Sequence, residues 1–307
     1  MNSRVARVRT FTARGWRWLR RKLGAARRRA LRLREAPAVI MNRTEPGRAR
    51  ALWYLDSLRG RRGLFRVQTL AGTPDLKAIP VVMCLWNRPQ RIDAILSQLD
   101  AQSDPRPVRL LLWNNKAAND NLYRARIAAY QRRGSLASVE YVNSGRNVGG
   151  LARFFLAGRL LRSGYFGHFI MLDDDQDVTA SFTSSLLRCA KTREIAGWWA
   201  YNYIDSHWNR TETEPGQVAD YAGTGGSICD IEIVRDRTFF TRLPQRFGFL
   251  EDQWMCSYAK SRGWAVRKAE VDITFVLHES NQFILMADLK NEFRDYLMRT
   301  RLSTKAR

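Results

Sequence analysis

Acidic residues are scarce in this chain, and unevenly so. Its 307 residues carry 52 Lys and Arg against 29 Asp and Glu, a formal net charge of +23. Residues 1–66 hold 20 of the cations against Glu35, Glu45 and Asp56, leaving +17 there and +6 for the other 241 residues. The basic character therefore belongs mostly to an N-terminal extension. Cysteine and histidine are scarcer still, at four and three. Cys84, Cys189, Cys229 and Cys256 form no Cys-x-x-Cys pair, and His168 and His207 have no partner at ligand spacing. This argues against cysteine-held zinc and predicts reduced, buried thiols, as in a cytosolic compartment. No apolar run reaches the roughly 18 residues that a membrane-spanning helix needs. The N-terminus also lacks the apolar stretch of about 7 residues of a signal peptide. With neither a G-x-G-x-x-G fingerprint nor a Walker lysine, dinucleotide oxidoreductase and P-loop NTPase are both disfavoured.

What is present begins with a period. Trp16, Leu19, Leu23, Ala26, Ala30 and Leu33 recur at helical spacing among arginines. Residues 1–35 therefore read as a basic amphipathic helix on a membrane surface, with each Arg worth about 1 kcal/mol against an anionic leaflet. A nucleic-acid arm and a solvated basic tail are the other readings. Residues 36–77 read as a Pro/Arg/Gly-rich linker with a helix at Arg50–Leu58 and a short Leu64–Leu70 segment.

From residue 78 to 280 the pattern alternates. Ile79–Leu85, Val108–Trp113, Val139–Val142 and Phe169–Leu172 read as buried strands. Helical stretches separate them, the first with Ile92, Ile95, Leu96 and Leu99 on one face. Alternation at this spacing predicts a mostly parallel sheet with helices on both sides. Beyond Ile195 it breaks down into an aromatic stretch, Trp198-Trp199-Ala200-Tyr201-Asn202-Tyr203, and the glycine-rich Tyr221–Ser227. Glu251-Asp252 opens a helix to Ser261, and short strands at Trp264–Val266 and Val271–Leu277 lead to His278. A last helix, about Asn281–Arg301, carries Phe283, Met286, Leu289, Phe293 and Leu297, a face best suited to core packing.

The fourth strand runs into Asp173-Asp174-Asp175. Ligands in open α/β sheets bind beyond the carboxyl ends of strands. Like charges at ~4 Å and an effective dielectric of ~20 cost about 4 kcal/mol per pair. The carboxylates are therefore protonated, splayed into water, or gathered around a hard cation such as Mg²⁺ or Mn²⁺. A solvated acidic turn is the plain alternative. Asn143–Gly150 has the composition of an anion-binding turn at a helix N-terminus, itself a weak signal.

Taken in order, these motifs resemble a family 2 glycosyltransferase of the GT-A fold, over about Ala78 to His278. The resemblance is carried by Trp86-Asn87-Arg88-Pro89 before a helix ending Gln98-x-x-x-Gln102, and by a strand ending Asn114-Asn115. It continues in Asn143-x-x-x-Asn147-x-Gly149-Gly150-x-x-Arg153 leading to Asp173-Asp174-Asp175, and in Glu251-Asp252 with His278 downstream. The last two together resemble the galactofuranosyltransferase-like branch. The resemblance implies Mg²⁺ or Mn²⁺ on Asp173, Asp175 and His278, where His278 is otherwise a satisfied core histidine. It implies Asp252 as the general base of an inverting displacement, where Asp252 is otherwise a helix N-cap. Trp86, Asn87, Arg88, Asn114, Asn147, Arg153 and Asp174 would bind the donor nucleotide. Trp198, Trp199, Gly225, Gly226 and Glu251 would bind sugar or acceptor, with plain core packing as the alternative for the two tryptophans. Asn114 departs from the Asp usual at its position. Its amide oxygen can still accept from a uracil N–H, which favours a UDP-sugar while leaving thymidine and guanosine donors open.

The expectation is a peripheral enzyme on the cytoplasmic face of the cell membrane. It would move a sugar from UDP or dTDP to a lipid-linked or cell-envelope glycan, with no specific nucleic-acid partner. The rivals are a metal-dependent nucleotidyltransferase and a basic nucleic-acid-binding protein whose acidic cluster is structural.

Overall fold

The structure is a computed structural model that describes residues 45–276 and 286–304. The basic segment at 1–35, His278 and Phe283 fall outside these residues. Internal contacts divide the chain into two units, Met1–Leu55 and Asp56–Arg307. The described part of the first is residues 45–55, the start of helix α1 (Glu45–Arg62), which is longer at both ends than the Arg50–Leu58 expected.

In the second unit, strands β1 (Gln68–Gly72), β2 (Ile79–Leu85), β3 (Val108–Asn114), β4 (Leu136–Asn143) and β5 (His168–Asp173) are joined by helices. These are α2 (Ile92–Asp100), α3 (Asp120–Ala129) and α4 (Ala152–Arg162). Then come β6 (Gln176–Val178), α5 (Phe182–Cys189), β7 (Glu194–Gly197), β8 (Ala200–Tyr203), β9 (Arg210–Glu212), β10 (Tyr221–Ala222) and β11 (Ser227–Asp230). Helix α6 (Glu251–Ser261), β12 (Ala265–Lys268), β13 (Ile273–Phe275) and α7 (Ala287–Thr304) complete the described chain.

The main sheet has the order β1-β4-β3-β2-β5-β11-β7-β12. Its centre, β4-β3-β2-β5, is parallel throughout. The strands that broaden it depart from the expected alternation: β1 pairs antiparallel with β4, and β11 runs antiparallel to both β5 and β7. Central parallel strands are buried on both faces, so they read as unbroken apolar runs; every residue of β2 and β3 is buried.

The alternation of side chains sorts β2 into two layers. Val81, Met83 and Leu85 join Ile92, Ile95, Leu96 and Leu99 of α2, Tyr123 and Ile127 of α3, and Phe182 and Leu186 of α5 in one core. Val82 and Cys84 turn to the other face, where α4 buries Phe154, Phe155, Leu156 and Leu160. Each such side chain contributes about 1.5–3 kcal/mol by leaving water. Phe293 of α7 is fully buried and stacks on Phe247 at 4.3 Å, so this helix packs on the body as expected.

Two small sheets frame the carboxyl ends of the central strands. One is β10-β8-β9; the other pairs β6 with β13, setting Phe275 opposite Gln176.

Candidate active site

The carboxyl ends of β2, β3, β4 and β5 open into a cleft of about 320 Å³. Its floor is set by Asp174, whose side chain is buried directly beyond β5. Asp174 Oδ2 accepts the Trp86 N–H at 2.7 Å, and Oδ1 accepts from Arg88 Nη1 at 2.7 Å. This carboxylate therefore clamps the loop after β2. Burial pushes its carboxyl up to about 6, against the pull of the Trp86 amide and Arg88. Arg88 also reaches Asp175 Oδ2 at 3.2 Å. Gln98 and Gln102 of α2 fasten the segment that follows. Gln98 donates to Asp177 at 2.7 Å and accepts the Val178 N–H at 3.1 Å; Gln102 donates to the Thr179 carbonyl at 2.9 Å.

Asp173 faces the cleft with about a third of its side chain exposed and is ion-paired with Arg153. Arg153 enters from the first turn of α4 and holds Glu251 Oε1 at 3.1 Å with its other terminal nitrogen. Burial alone would weaken the charge on this guanidinium; Asp173 foremost, with Glu251, holds it firmly cationic. Burial pushes Glu251 up to about 8, against that same arginine. Gly150 lies so close to Glu251 that a Cβ there would stand 1.6 Å from Oε1, so a larger residue in this turn would push the Glu251 carboxylate and the Arg153 guanidinium aside. The turn is held from β3: Asn115 accepts the Val148 N–H at 3.0 Å and donates to the Gly149 carbonyl at 3.1 Å. Beneath it the buried Cys84 thiol is pushed up to about 12 by burial, which keeps it protonated and unreactive.

Asp252, beside Glu251 at the start of α6, also lines the cleft. Tyr221 on β10 donates its hydroxyl to Asp252 Oδ2 at 2.5 Å, and the Gln253 N–H donates to Oδ1 at 2.7 Å. Burial would raise this carboxyl, but Lys290, the Tyr221 hydroxyl and the Gln253 amide together bring it below its ordinary value. It is therefore ionised at neutral pH and ready to accept a proton. Behind Tyr221 lies His207, buried and lowered to about 4 by desolvation, so its ring is neutral. Gln253 Nε2 stands 2.6 Å from His207 Nδ1.

Of the residues singled out in the sequence, Trp86, Arg88, Asn147, Arg153, Asp173, Asp174, Asp175, Trp199, Gly225, Glu251 and Asp252 meet in this one cleft. Four others do not line it. Asn114 is fully buried, its oxygen taken by the Lys116 N–H at 2.9 Å and its amide given to Asn143 at 3.1 Å. It ends β3 pointing into the protein, and Asn115 is the neighbour that reaches the cleft. Asn87 is exposed and its side-chain oxygen accepts from Lys116. Trp198 stacks on Phe275 at 6.4 Å, and Gly226 supplies a left-handed turn (φ 71°) and donates to the Met171 carbonyl at 2.9 Å. Lining residues that the sequence did not single out for the site include Asn115, Trp208, Arg210, Tyr221, Phe249 and Lys290. They come from five separate segments with no shared period. The only hint was the glycine-rich stretch after Tyr221.

Asp173 and Asp175 are the side chains that suit a divalent cation. Gly225 leaves room beside them: a Cβ there would stand 2.4 Å from Asp173 Oδ2 and 2.7 Å from Gln176 Oε1. Burial, and then the negative charge of Asp173, push Asp175 up to about 7. A cation beside the pair would reverse that second effect. Hard oxygen donors on a strand end fit Mg²⁺ or Mn²⁺. Among the described residues no three metal-ligating side chains converge. The third expected ligand, His278, lies outside those residues; the described chain approaches as far as Val276, whose N–H donates to the Asp175 carbonyl at 2.8 Å.

No family model matches this chain, and no curated protein matches it. Solved structures similar to it include S. aureus TarS 1–349 in complex with UDP-GlcNAc, at 12% identity and a TM-score of 0.44, over 67% of this chain and 60% of that one. The mannosyltransferase PcManGT from Pyrobaculum calidifontis, in complex with GDP-Man and Mn²⁺, is similar at 11% identity and a TM-score of 0.47. That match covers 80% of this chain and 71% of PcManGT. GalNAc-T7 with UDP, GalNAc and Mn²⁺ is similar at 13% identity and a TM-score of 0.46, over 64% of this chain and 43% of that one. This chain thus spans about three fifths of the matched TarS chain.

Proposed function

We propose that this chain is a metal-dependent, inverting glycosyltransferase of the GT-A type, similar to family 2 and with residues 78–280 as its catalytic body. It takes a sugar from a nucleotide diphosphate donor, UDP or dTDP, and passes it to a hydroxyl of a lipid-linked or cell-envelope glycan. The observation that carries this reading is the meeting, in one cleft, of a cation-suited carboxylate pair, Asp173 and Asp175, with an ionised carboxylate from a distant helix, Asp252.

Trp86, Arg88 and Asn115 line the donor side and suit the nucleoside; Asn147 and the turn it opens lie beside it. Asp173 and Asp175, with His278 as a further ligand, would hold Mg²⁺ or Mn²⁺, which neutralises the leaving diphosphate. Arg153 fixes Asp173 and Glu251 relative to each other. Asp252 takes the proton of the acceptor hydroxyl as that oxygen attacks the anomeric carbon from the face opposite the diphosphate. A single base on that face gives inversion. Trp199 offers an apolar wall to a sugar ring. The basic segment 1–35 holds the enzyme at the inner membrane surface, beside a lipid-linked acceptor. Among the described residues no helix is long and apolar enough to cross a membrane.

The test is a thermal-shift screen of nucleotides and nucleotide sugars with and without Mn²⁺. One donor class should stabilise the protein only with metal, and Asp175→Ala should remove the effect. Stabilisation that ignores both metal and Asp175 would refute the proposal, and release of pyrophosphate in place of nucleoside diphosphate would assign a nucleotidyltransferase instead. For the membrane role, removal of residues 1–35 should release the protein from anionic vesicles.

A further inference from the structure

Four cations line the cleft, and they differ in how they are neutralised. Arg88 is paired with Asp174 and Asp175, and Arg153 with Asp173 and Glu251. Arg210 and Lys290 have no carboxylate oxygen within 4.0 Å among the described residues. Their neighbours are aromatic faces. The Arg210 guanidinium lies 4.1 Å from the ring centre of Tyr201, 5.6 Å from that of Trp208 and 5.9 Å from that of Tyr221. Lys290 Nζ lies 5.7 Å from the Trp208 ring centre. Arg210 Nη1 also stands 3.3 Å from His207 Nε2, and this ring is neutral and cannot balance the charge.

Cation–π contacts are worth about 0.5–2 kcal/mol each and do not use up the ammonium or the guanidinium N–H groups, of which only those on Nη1 face His207. The two residues come from different elements, Arg210 from β9 and Lys290 from α7, and share Trp208 as a wall. They lie on the Asp252 side of the cleft: Tyr221, beside Arg210, donates to Asp252. The donor side already pairs its own arginines with the carboxylate run. On the Asp252 side two cations meet one carboxylate, which Lys290 helps to keep ionised, so one positive charge is left over to face the incoming hydroxyl.

Resting on the glycosyltransferase reading, we propose that the acceptor is an anionic glycan, with a phosphate or carboxylate on the unit next to the reacting hydroxyl, held between Arg210 and Lys290. The Arg fork suits two oxygens of such a group, and the Lys ammonium adds a point charge. A neutral acceptor would leave the two cations with Asp252, which stands beyond ion-pair distance, as their one counter-charge in the cleft.

The full chain, with UDP and Mn²⁺, is applied to an array of oligosaccharides matched as neutral, phosphorylated and uronic forms. Retention should be at least about tenfold stronger on one anionic form than on its neutral match, the preferred form identifying the group. The combined substitution Arg210→Gln and Lys290→Gln should erase that preference while leaving stabilisation by UDP and Mn²⁺ unchanged. Equal retention of neutral and anionic glycans, or no retention of any, would overturn the proposal. So would loss of UDP and Mn²⁺ stabilisation in the double variant, since the cations would then serve the donor diphosphate. Wild-type protein that UDP and Mn²⁺ fail to stabilise would instead refute the transferase reading itself.

Discussion

The two sides of the cleft are built on opposite plans. On the side of the parallel strands, negative charge is crowded and its counter-charge is supplied by Arg88 and Arg153 from within the protein. On the side of the small sheet and α7, positive charge stands on aromatic rings, and the one carboxylate, Asp252, is held by Tyr221. A metal-bound diphosphate suits the first plan and an anionic acceptor the second. The contrast teaches that crowded carboxylates are neutralised within the protein on one side, while on the other aromatic faces hold cations that have no ion-pair partner among the described residues.

The largest expected effect isolates the second side. Asp252→Asn should lower turnover by about 10²–10⁴-fold while metal-dependent donor binding persists, read by steady-state kinetics beside thermal shift. Turnover that survives would place the base elsewhere.

Next comes the link between the sides. Arg153→Ala leaves buried Glu251 and the part-exposed Asp173 without the guanidinium they share, which should cost about 1–3 kcal/mol in denaturant unfolding through the polar groups left unpaired. A loss below about 1 kcal/mol would mean that the two sides do not depend on this arginine.

The two plans should also respond to pH with opposite signs in the metal-free protein. Asp175, raised to about 7, binds a proton in the folded state that the unfolded chain releases near its ordinary value of 3.8. Its contribution to stability therefore falls as pH rises through that window. His207, lowered from 6.5 to about 4, binds its proton only in the unfolded chain between those values, so its contribution falls as pH drops, by roughly 3 kcal/mol in all. Urea melts between pH 4 and 7 should show Asp175→Asn steepening the rise of stability with pH and His207→Gln flattening it. Identical pH slopes in both variants would break the comparison.

The smallest effect sharpens the base. Tyr221→Phe removes a hydrogen bond to an ionised carboxylate, worth about 1.5–3 kcal/mol, so the acidic limb of kcat/KM should move up by about one to two pH units. An unmoved limb would show that Tyr221 only packs.

The same contrast explains how much could be read from the sequence. Ile79–Leu85, Val108–Trp113 and Phe169–Leu172 announce themselves, because a strand buried on both faces must be apolar throughout. The carboxylate run follows directly on one of them, so it is legible too, as is the Glu251-Asp252 helix start. Asn114 is buried and its neighbour Asn115 lines the cleft; the sequence does not say which of two adjacent residues at a strand end turns outward. Arg210, Trp208, Tyr221 and Lys290 were not legible as a site. The small sheet and α7 bring them together from 208 to 290, and nothing in the sequence marks these two cations among 52.

The contacts that shape the cleft also span long stretches of chain: Trp86 and Asp174 stand 88 positions apart, and Arg153 and Glu251 98. Such closures form late in folding, after local helices and neighbouring strands have found each other. A chain that lacks α6 keeps β2 to β5 and the pair of Arg153 with Asp173 but lacks Glu251, the second carboxylate that Arg153 holds. The cleft is thus closed on the Asp252 side only once the residues beyond 250 have joined the body.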